Sequence, residues 1–363
     1  MKKDSTKGNA AIREVAGLDL GDKHSQLCVL DRGSGETLGE SRLATTAQAL
    51  RRRFEGVAPM RIALEVGTHS PWVSRLLEQL GHEVLVANAR KLRLIYKNRR
   101  KTDKVDAEYL ARLARVDPEL LHPLQHRGEQ AQSDLAVLRS RDALVKVRTQ
   151  LVNHVRGAVK SLGHRLPKCT AKGFARKVAD ELPAPLRPAL TPLLETLTLV
   201  NEQIKAYDRE LEQTLVKKYP ESELLLQVRG VGPVTALAYL LILEDPERFA
   251  KSRSVGAYLG LVPATNESGE SSPELHITKE GDVYLRRLLV GCAHYILGPF
   301  GQDCDLRRYG ERISQRGGKN AKKRAAVAVA RKLAVLLHRL WRNGEVYDPF
   351  HDAQHAERRK RIA

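Results

Sequence analysis

The sequence predicts an α/β N-terminal domain on a mixed sheet, then a helical coiled coil and a mainly α C-terminal domain. Three patterns predict it. Short apolar runs bounded by turn residues fill residues 15–88 and give way once to a helical period. Apolar residues recur every three or four from Leu190 to Leu211 without a break. Beyond residue 223 helical periods are interrupted by glycine-containing turns. A chain of 363 residues, 42% of them hydrophobic, has room for two or three domains with a buried core.

Each element follows in order. VAGLDL (15–20) and SQLCVL (25–30) read as strands joined by the hairpin-like turn GDKH, and a third strand is expected around 36–43 after RGSG. RIALEV (61–66) is a buried strand. It leads into the amphipathic helix SPWVSRLLEQLG, stopped by Gly81, and then the strand EVLVAN (83–88). A hairpin followed by strand–helix–strand gives one mixed sheet with helices on it. A basic segment and a helix through 103–116 close a first domain, 1–127. A helix over roughly 130–163 carries Val152, Val155, Val159 and Leu162, and the seam Leu190, Leu193, Leu197, Val200, Ile204, Tyr207, Leu211 follows a proline-rich break. Together they form a coiled-coil segment, 128–220. Periodicity leaves open whether the seam closes within one chain or between two. Residues 221–345 read as a compact helical domain ending in a basic amphipathic helix (319–342), and 346–363 as a basic tail.

Charge narrows the function. Lys and Arg number 62 against 43 acids, a net charge of +19, which favours a polyanionic partner, most simply nucleic acid. Four dispersed cysteines without a C-x-x-C pair read as reduced thiols of a cytoplasmic protein. MKKDSTKGNAAIREV lacks the apolar core of a signal peptide, and VGPVTALAYLLIL is too short to span a bilayer, so no membrane partner is expected.

Against this background the acids of RRKTDKVDAEYLARL stand out. Residues 90–104 hold eight Lys or Arg and one acid, yet Asp103 and Asp106 lie three apart, on one helical face. Asp19 lies in the first strand and Glu65 near the end of the fourth. Converging, the four carboxylates would bind a hard divalent cation, Mg²⁺ or Mn²⁺, and two such ions suit phosphodiester cleavage. Arg99, Arg100, Lys101 and Lys104 would hold the anionic backbone. Blander readings fit each acid singly: Asp19 caps a turn, Asp103 is a helix N-cap with Asp106 in the capping box. Glu65, inside an apolar strand, is the costliest to leave without a partner.

Further along, ESGESS offers three serines in a loop of small residues. A serine hydroxyl there is a candidate nucleophile toward a phosphodiester, and chemistry alone does not choose among Ser268, Ser271 and Ser272. Lys279, Arg286 and Arg287 are candidates to steady the phosphate, or a solvated helix face. RGVGPVTA resembles the turn of a helix–hairpin–helix, where Gly230 and Gly232 let backbone N–H groups approach a phosphate; a plain helix turn needs the same residues. Lys322, Lys323 and Arg324 are the nucleic-acid-facing end of the basic helix.

GLDLGDKHS, ALEVGTHSPWVSRLLEQLG and NRRKTDKVDAEYLARL, in that order, resemble the DEDD motif of insertion-sequence transposases of the IS110 family. QVRGVGPVTALAYLLILEDPERF, SVGAYLGLVPATNESGE and HITKEGDVYLRRLL resemble that family's second half, so the likeness runs through nearly the whole chain. The resemblance implies a RuvC-like, ribonuclease-H-type first domain with Asp19, Glu65, Asp103 and Asp106 as metal ligands, joined by the coiled coil to a transposase domain. It matches the family's nucleophilic serine to Ser268, followed by Gly269. It also implies target and donor DNA as substrates, a noncoding bridge RNA as guide, and a homo-oligomer, dimer to tetramer, in which one subunit's carboxylates work with another's serine. A nucleoid-associated cytoplasmic location goes with these partners.

Rival classes predict other features. GLDLG also resembles the first phosphate loop of actin-like sugar kinases, but a second Asp-x-Gly loop is not evident and +19 suits a kinase poorly. A RuvC-type junction nuclease shares the carboxylates and has no use for ESGESS. A non-catalytic RNA-binding protein has no use for four acids in a basic domain.

Overall fold

The computed structural model describes residues 12–92, 102–268 and 275–351. Two compact units divide the chain, Met1–Arg127 and Gly128–Ala363.

The first unit is built on a five-stranded sheet in the order β3-β2-β1-β4-β5. β1 (Glu14–Asp19), β2 (His24–Asp31) and β3 (Thr37–Ala44) form an antiparallel meander, whereas β4 (Arg61–Glu65) and β5 (Glu83–Ala87) continue it in parallel beside β1. The alternation of side chains assigns two faces. Ala16, Leu18, Ile62 and Leu64 point to one, where Leu50 and Phe54 of α1 (Ala47–Phe54) and Val73 and Leu77 of α2 (Ser70–Gln79) cover them. Val15 and Ala63 point to the other, under Leu110 and Ala114 of α3 (Asp103–Val116). Gly81 adopts φ +91° just past α2, as its stop position requires. The mixed sheet with helices packed on it is the fold class expected; α1, whose apolar positions are few among arginines, is the element the pattern did not reveal.

In the second unit, α4 (Glu129–Ser161) and α6 (Arg187–Lys218) pair along their lengths. The pairing is antiparallel and lies within one chain: Asp134 meets Lys218, Arg141 meets Asp208, and Arg148 meets Asn201. This decides what periodicity left open. Leu190, Leu197, Ile204 and Leu211 are buried against the chain's own α4, with Leu193 and Tyr207 half-buried beside them. The stripe is therefore not left over for a second subunit. The short α5 (Phe174–Val178) sits in the connection between the two long helices.

Ala131, Leu138, Leu211 and Leu215, at the root of the hairpin, join a single core with α7 (Ser222–Leu226), α8 (Pro233–Leu243), α9 (Arg253–Tyr258), α10 (Val283–Leu297), α11 (Asp305–Gln315) and α12 (Ala321–Asn343). α8 is buried on every side from Thr235 to Leu243, and Tyr239 donates its hydroxyl to the Ala334 carbonyl. Among the described residues, no helix is long and apolar enough to cross a membrane.

Candidate catalytic site

The parallel register of β1 and β4, Leu18 opposite Leu64, sets Asp19 and Glu65 at the same level, each the last residue of its strand. Asp19 follows Val15 and Gly17 in steps of two, and Glu65 follows Ala63, so both side chains belong to the face that α3 covers. Both are half-buried, and both line one pocket of about 290 Å³ with Asp22, Gly67, Thr68 and His69.

α3 lies against β1 because Gly17 lets it. A Cβ at Gly17 would stand 1.9 Å from the Ala107 carbonyl oxygen and 2.6 Å from the Ala111 nitrogen. Val15 meets Leu110 and Ala114 farther back, so the helix runs antiparallel to the strand. Four more residues of helix, about 6 Å, match two more strand residues, about 6.6 Å. That step carries α3 from Ala107 to Asp103 as the strand passes from Gly17 to Asp19. The first turn of α3, with Asp103 exposed and Asp106 buried, therefore lies over the carboxyl end of the sheet. At its other end Arg115 fastens α3 by donating to the Arg32 and Gly33 carbonyls at 2.9 and 2.8 Å. Thr102 is the N-cap, its hydroxyl accepting from Val105 N–H. The capping role open to Asp103 is thus taken by its neighbour.

An all-oxygen donor set of this kind fits a hard divalent cation. Among the described residues, however, no three acid, His or Cys side chains close around a single point. Asp19 and Glu65 share the pocket; Asp103 and Asp106 do not line it.

Asp22 and His69 were not singled out from the sequence. His69 Nε2 lies 3.4 Å from an Asp22 carboxylate oxygen, and His69 Nδ1 accepts from the Trp72 indole N–H at 3.1 Å. Because the indole can only donate, the imidazole proton is on Nε2, toward Asp22. Their signal in the sequence was their place in GDKH and GTHS, the two loops leaving the strand ends that carry Asp19 and Glu65. Behind them Ser70 bonds His126 at 2.8 Å, and burial, with Arg75 and Arg127 nearby, holds the His126 pKa down.

The remaining predicted residues are scattered over both units. Arg99, Arg100 and Lys101 lie outside the described residues; Lys104 is exposed, 3.5 Å from Glu40. Ser268 is exposed, after the short bridge Pro263–Ile277, while Gly269, Ser271 and Ser272 lie outside the described residues. Lys279 is exposed with φ 56°. Arg286 is buried and donates to the Leu259 and Glu280 carbonyls at 2.9 and 2.6 Å, which makes it a brace of the Ser268 ribbon and not a surface cation. Arg287 pairs with Asp142 and lies over Tyr284. It shares an open groove with Gly230, Gly232, Gly291 and Tyr295. Gly230, at φ +95°, needs to be glycine, and Gly232 caps α8 with open space beside it. Lys322, Lys323 and Arg324 are exposed on the first turn of α12. Burial raises the Cys28 thiol to about 11 and the Cys292 thiol above its usual value, so neither competes as a nucleophile.

Comparison with known proteins decides the family. The DEDD transposase model of the IS110 type matches residues 16–163, and the model described as "Transposase IS116/IS110/IS902 family" matches residues 222–301. The transposase for insertion sequence element IS1328 of Yersinia enterocolitica is 32% identical over 282 residues, covering 77% of this chain and 82% of the relative. The chain belongs to the IS110 transposase family. A probable family 20 transposase of Pseudomonas aeruginosa is 30% identical across 92% of this chain and 98% of its own length. The transposase for IS1111A of Coxiella burnetii is 31% identical across 69% and 70%. An IS110-family transposase acts on DNA, and its DEDD class depends on divalent metal. The first family match ends at Gly163, inside the helical hairpin, and the second covers the core helices from α7 through α10.

Proposed function

We propose that this transposase cuts and exchanges DNA strands through a phosphoserine intermediate, with Asp19, Glu65, Asp103 and Asp106 holding Mg²⁺ or Mn²⁺ and Ser268 attacking the scissile phosphorus. The observation that carries the reading is the placement of Asp19 and Glu65 side by side at the ends of parallel strands, under the first turn of α3. When bound, the cation supplies Lewis-acid stabilisation of charge on the phosphoryl oxygens. The α3 N-terminus, whose dipole is positive, favours the same negative charge. Ser268 Oγ forms a bond to phosphorus as the P–O3′ bond breaks; the serine proton leaves to a base and the 3′ oxygen takes up a proton. The ester retains the bond energy, so another strand's 3′ hydroxyl can displace the serine and regenerate it. Arg286 keeps the ribbon behind Ser268 in place; Lys279, Arg287 and the Gly230–Gly232 turn, with Lys322, Lys323 and Arg324, supply cationic or N–H contacts to backbone phosphates.

The division of labour puts metal binding in residues 1–127, the hairpin in 128–220 and the nucleophile in 221–345, with 346–363 a basic tail. A noncoding bridge RNA supplies sequence choice by base pairing, as in other RNA-guided systems. Four DNA ends must be joined, which calls for a dimer that pairs into a tetramer. The test is strand cleavage with Mg²⁺ by Asp19→Asn, Glu65→Gln, Asp103→Asn and Asp106→Asn. Each is expected to stay folded and bind DNA while losing cleavage; full activity in any one removes that residue from the site.

A further inference from the structure

Between Asp142 and Asp180 the chain carries nine Lys or Arg and no acid. This stretch forms the far half of α4, the turn and α5, the cap of the helical hairpin. The cap is a folded platform: Val155, Val159, Phe174, Val178, Leu190 and Leu197 bury a small core of their own beneath it. Arg156 is spent on that platform. Its guanidinium lies 5.0 Å from the Phe174 ring centre and donates to the Pro167 carbonyl at 3.2 Å, fixing the turn. The fixed turn walls a surface cavity of about 610 Å³ rimmed by Lys160, His164, Arg165 and Lys168, all exposed. None of these four side chains makes an ion pair among the described residues. The root of the same hairpin is different: there Lys218 is matched by Asp134 and Arg141 by Asp208. Uncompensated like charges on a rigid platform repel one another, and a polyanion relieves the repulsion.

We propose that this cap, through Lys160, Arg165 and Lys168, is a second binding site for the duplex DNA backbone. The assignment rests on family membership, which makes DNA the substrate, and not on the phosphoserine reading. Length supports it. From Leu138, in the core, to Ser161 are 23 residues of helix, about 35 Å at 1.5 Å per residue. One turn of B-DNA is about 34–36 Å. A duplex lying along the hairpin would run from its root to its cap in about one helical turn, so the cap adds contacts over about ten base pairs.

The test uses the full chain and a linear duplex of about 60 base pairs, near six helical turns. The triple variant Lys160→Gln, Arg165→Gln, Lys168→Gln removes three charges from exposed positions. Affinity measured between roughly 50 and 200 mM salt should show a slope of log K against log salt shallower by about 2.7, or about 0.9 for each single variant. Hydroxyl-radical protection should disappear over about ten base pairs at one end of the footprint. Lys160→Arg with Lys168→Arg should keep both slope and footprint. An unchanged slope in the triple variant overturns the proposal. So does a loss seen with a folded RNA hairpin and not with the duplex, which would assign the cap to RNA. A changed oligomeric mass with an unchanged slope also overturns it, and marks the cap as a protein interface.

Discussion

Replacing Gly17 with alanine probes the contact that positions the acidic turn. The added Cβ would stand 1.9 Å from a backbone oxygen of α3 and 2.6 Å from a backbone nitrogen, where real Cβ atoms keep at least 3.0 Å. Neither neighbour is a side chain that can swing aside, so α3 has to retreat by roughly 1 Å or more, an overpacking cost of about 1–3 kcal/mol. A domain stable by about 5–15 kcal/mol survives that loss. The first turn of α3 moves with the helix, and misplacing a reacting group by about 1 Å can cost roughly 100-fold in rate. Denaturant midpoints and metal-dependent strand cleavage, measured on the same preparations, separate the two effects. Gly17→Ala should lose about 1–3 kcal/mol and about 100-fold in cleavage while still binding DNA. Gly39→Ala, on edge strand β3 with nothing within 4 Å of the new methyl, should match the unmodified chain. A Gly17→Ala protein with unaltered stability and cleavage would refute the seating of α3 on β1 and the role given to its first turn.

Two other outcomes follow from the account. His126 and His338 are held neutral by burial, their pKa values below the ordinary 6.5. As pH falls through about 6.5 the unfolded chain therefore takes up protons that the native chain refuses. Stability should decline below about pH 6.5, and His338→Gln should flatten that decline in denaturation midpoints; a midpoint independent of pH would contradict it. RNase-treated, RNA-free protein should fail to recombine its correct sites, and recombination by such protein would remove the guide RNA from the mechanism.

The sheet was legible because its signals are local. Alternating apolar runs closed by GDKH, RGSG and Gly81 fix strand ends to within a residue or two. Helix α1 was not, because AQALRRRF offers only Leu50 and Phe54 among three arginines, too few apolar positions to show a helical period. The hairpin was legible as two helices and not as a pair, since a seam that closes on its own chain has the same period as one that closes on another. Arginines misled for a similar reason. Arg286 and Arg287 are adjacent and identical in composition, yet one braces two carbonyls in the core and the other pairs with Asp142 beside an open groove. Asp22 and His69 escaped because 46 residues separate them and only the sheet register brings their loops together.

The measurement that bears most directly on the central claim is trapping of a covalent protein–DNA adduct on a denaturing gel, with the modified peptide identified by mass spectrometry. An adduct is expected at Ser268, absent in Ser268→Ala although that variant still binds DNA, and retained in Ser271→Ala and Ser272→Ala. An adduct that persists in Ser268→Ala and vanishes in Ser271→Ala or Ser272→Ala would move the nucleophile three or four residues along the chain. Cleavage that releases free ends with no adduct in any of these proteins would contradict the phosphoserine mechanism and leave a metal-dependent nuclease in its place.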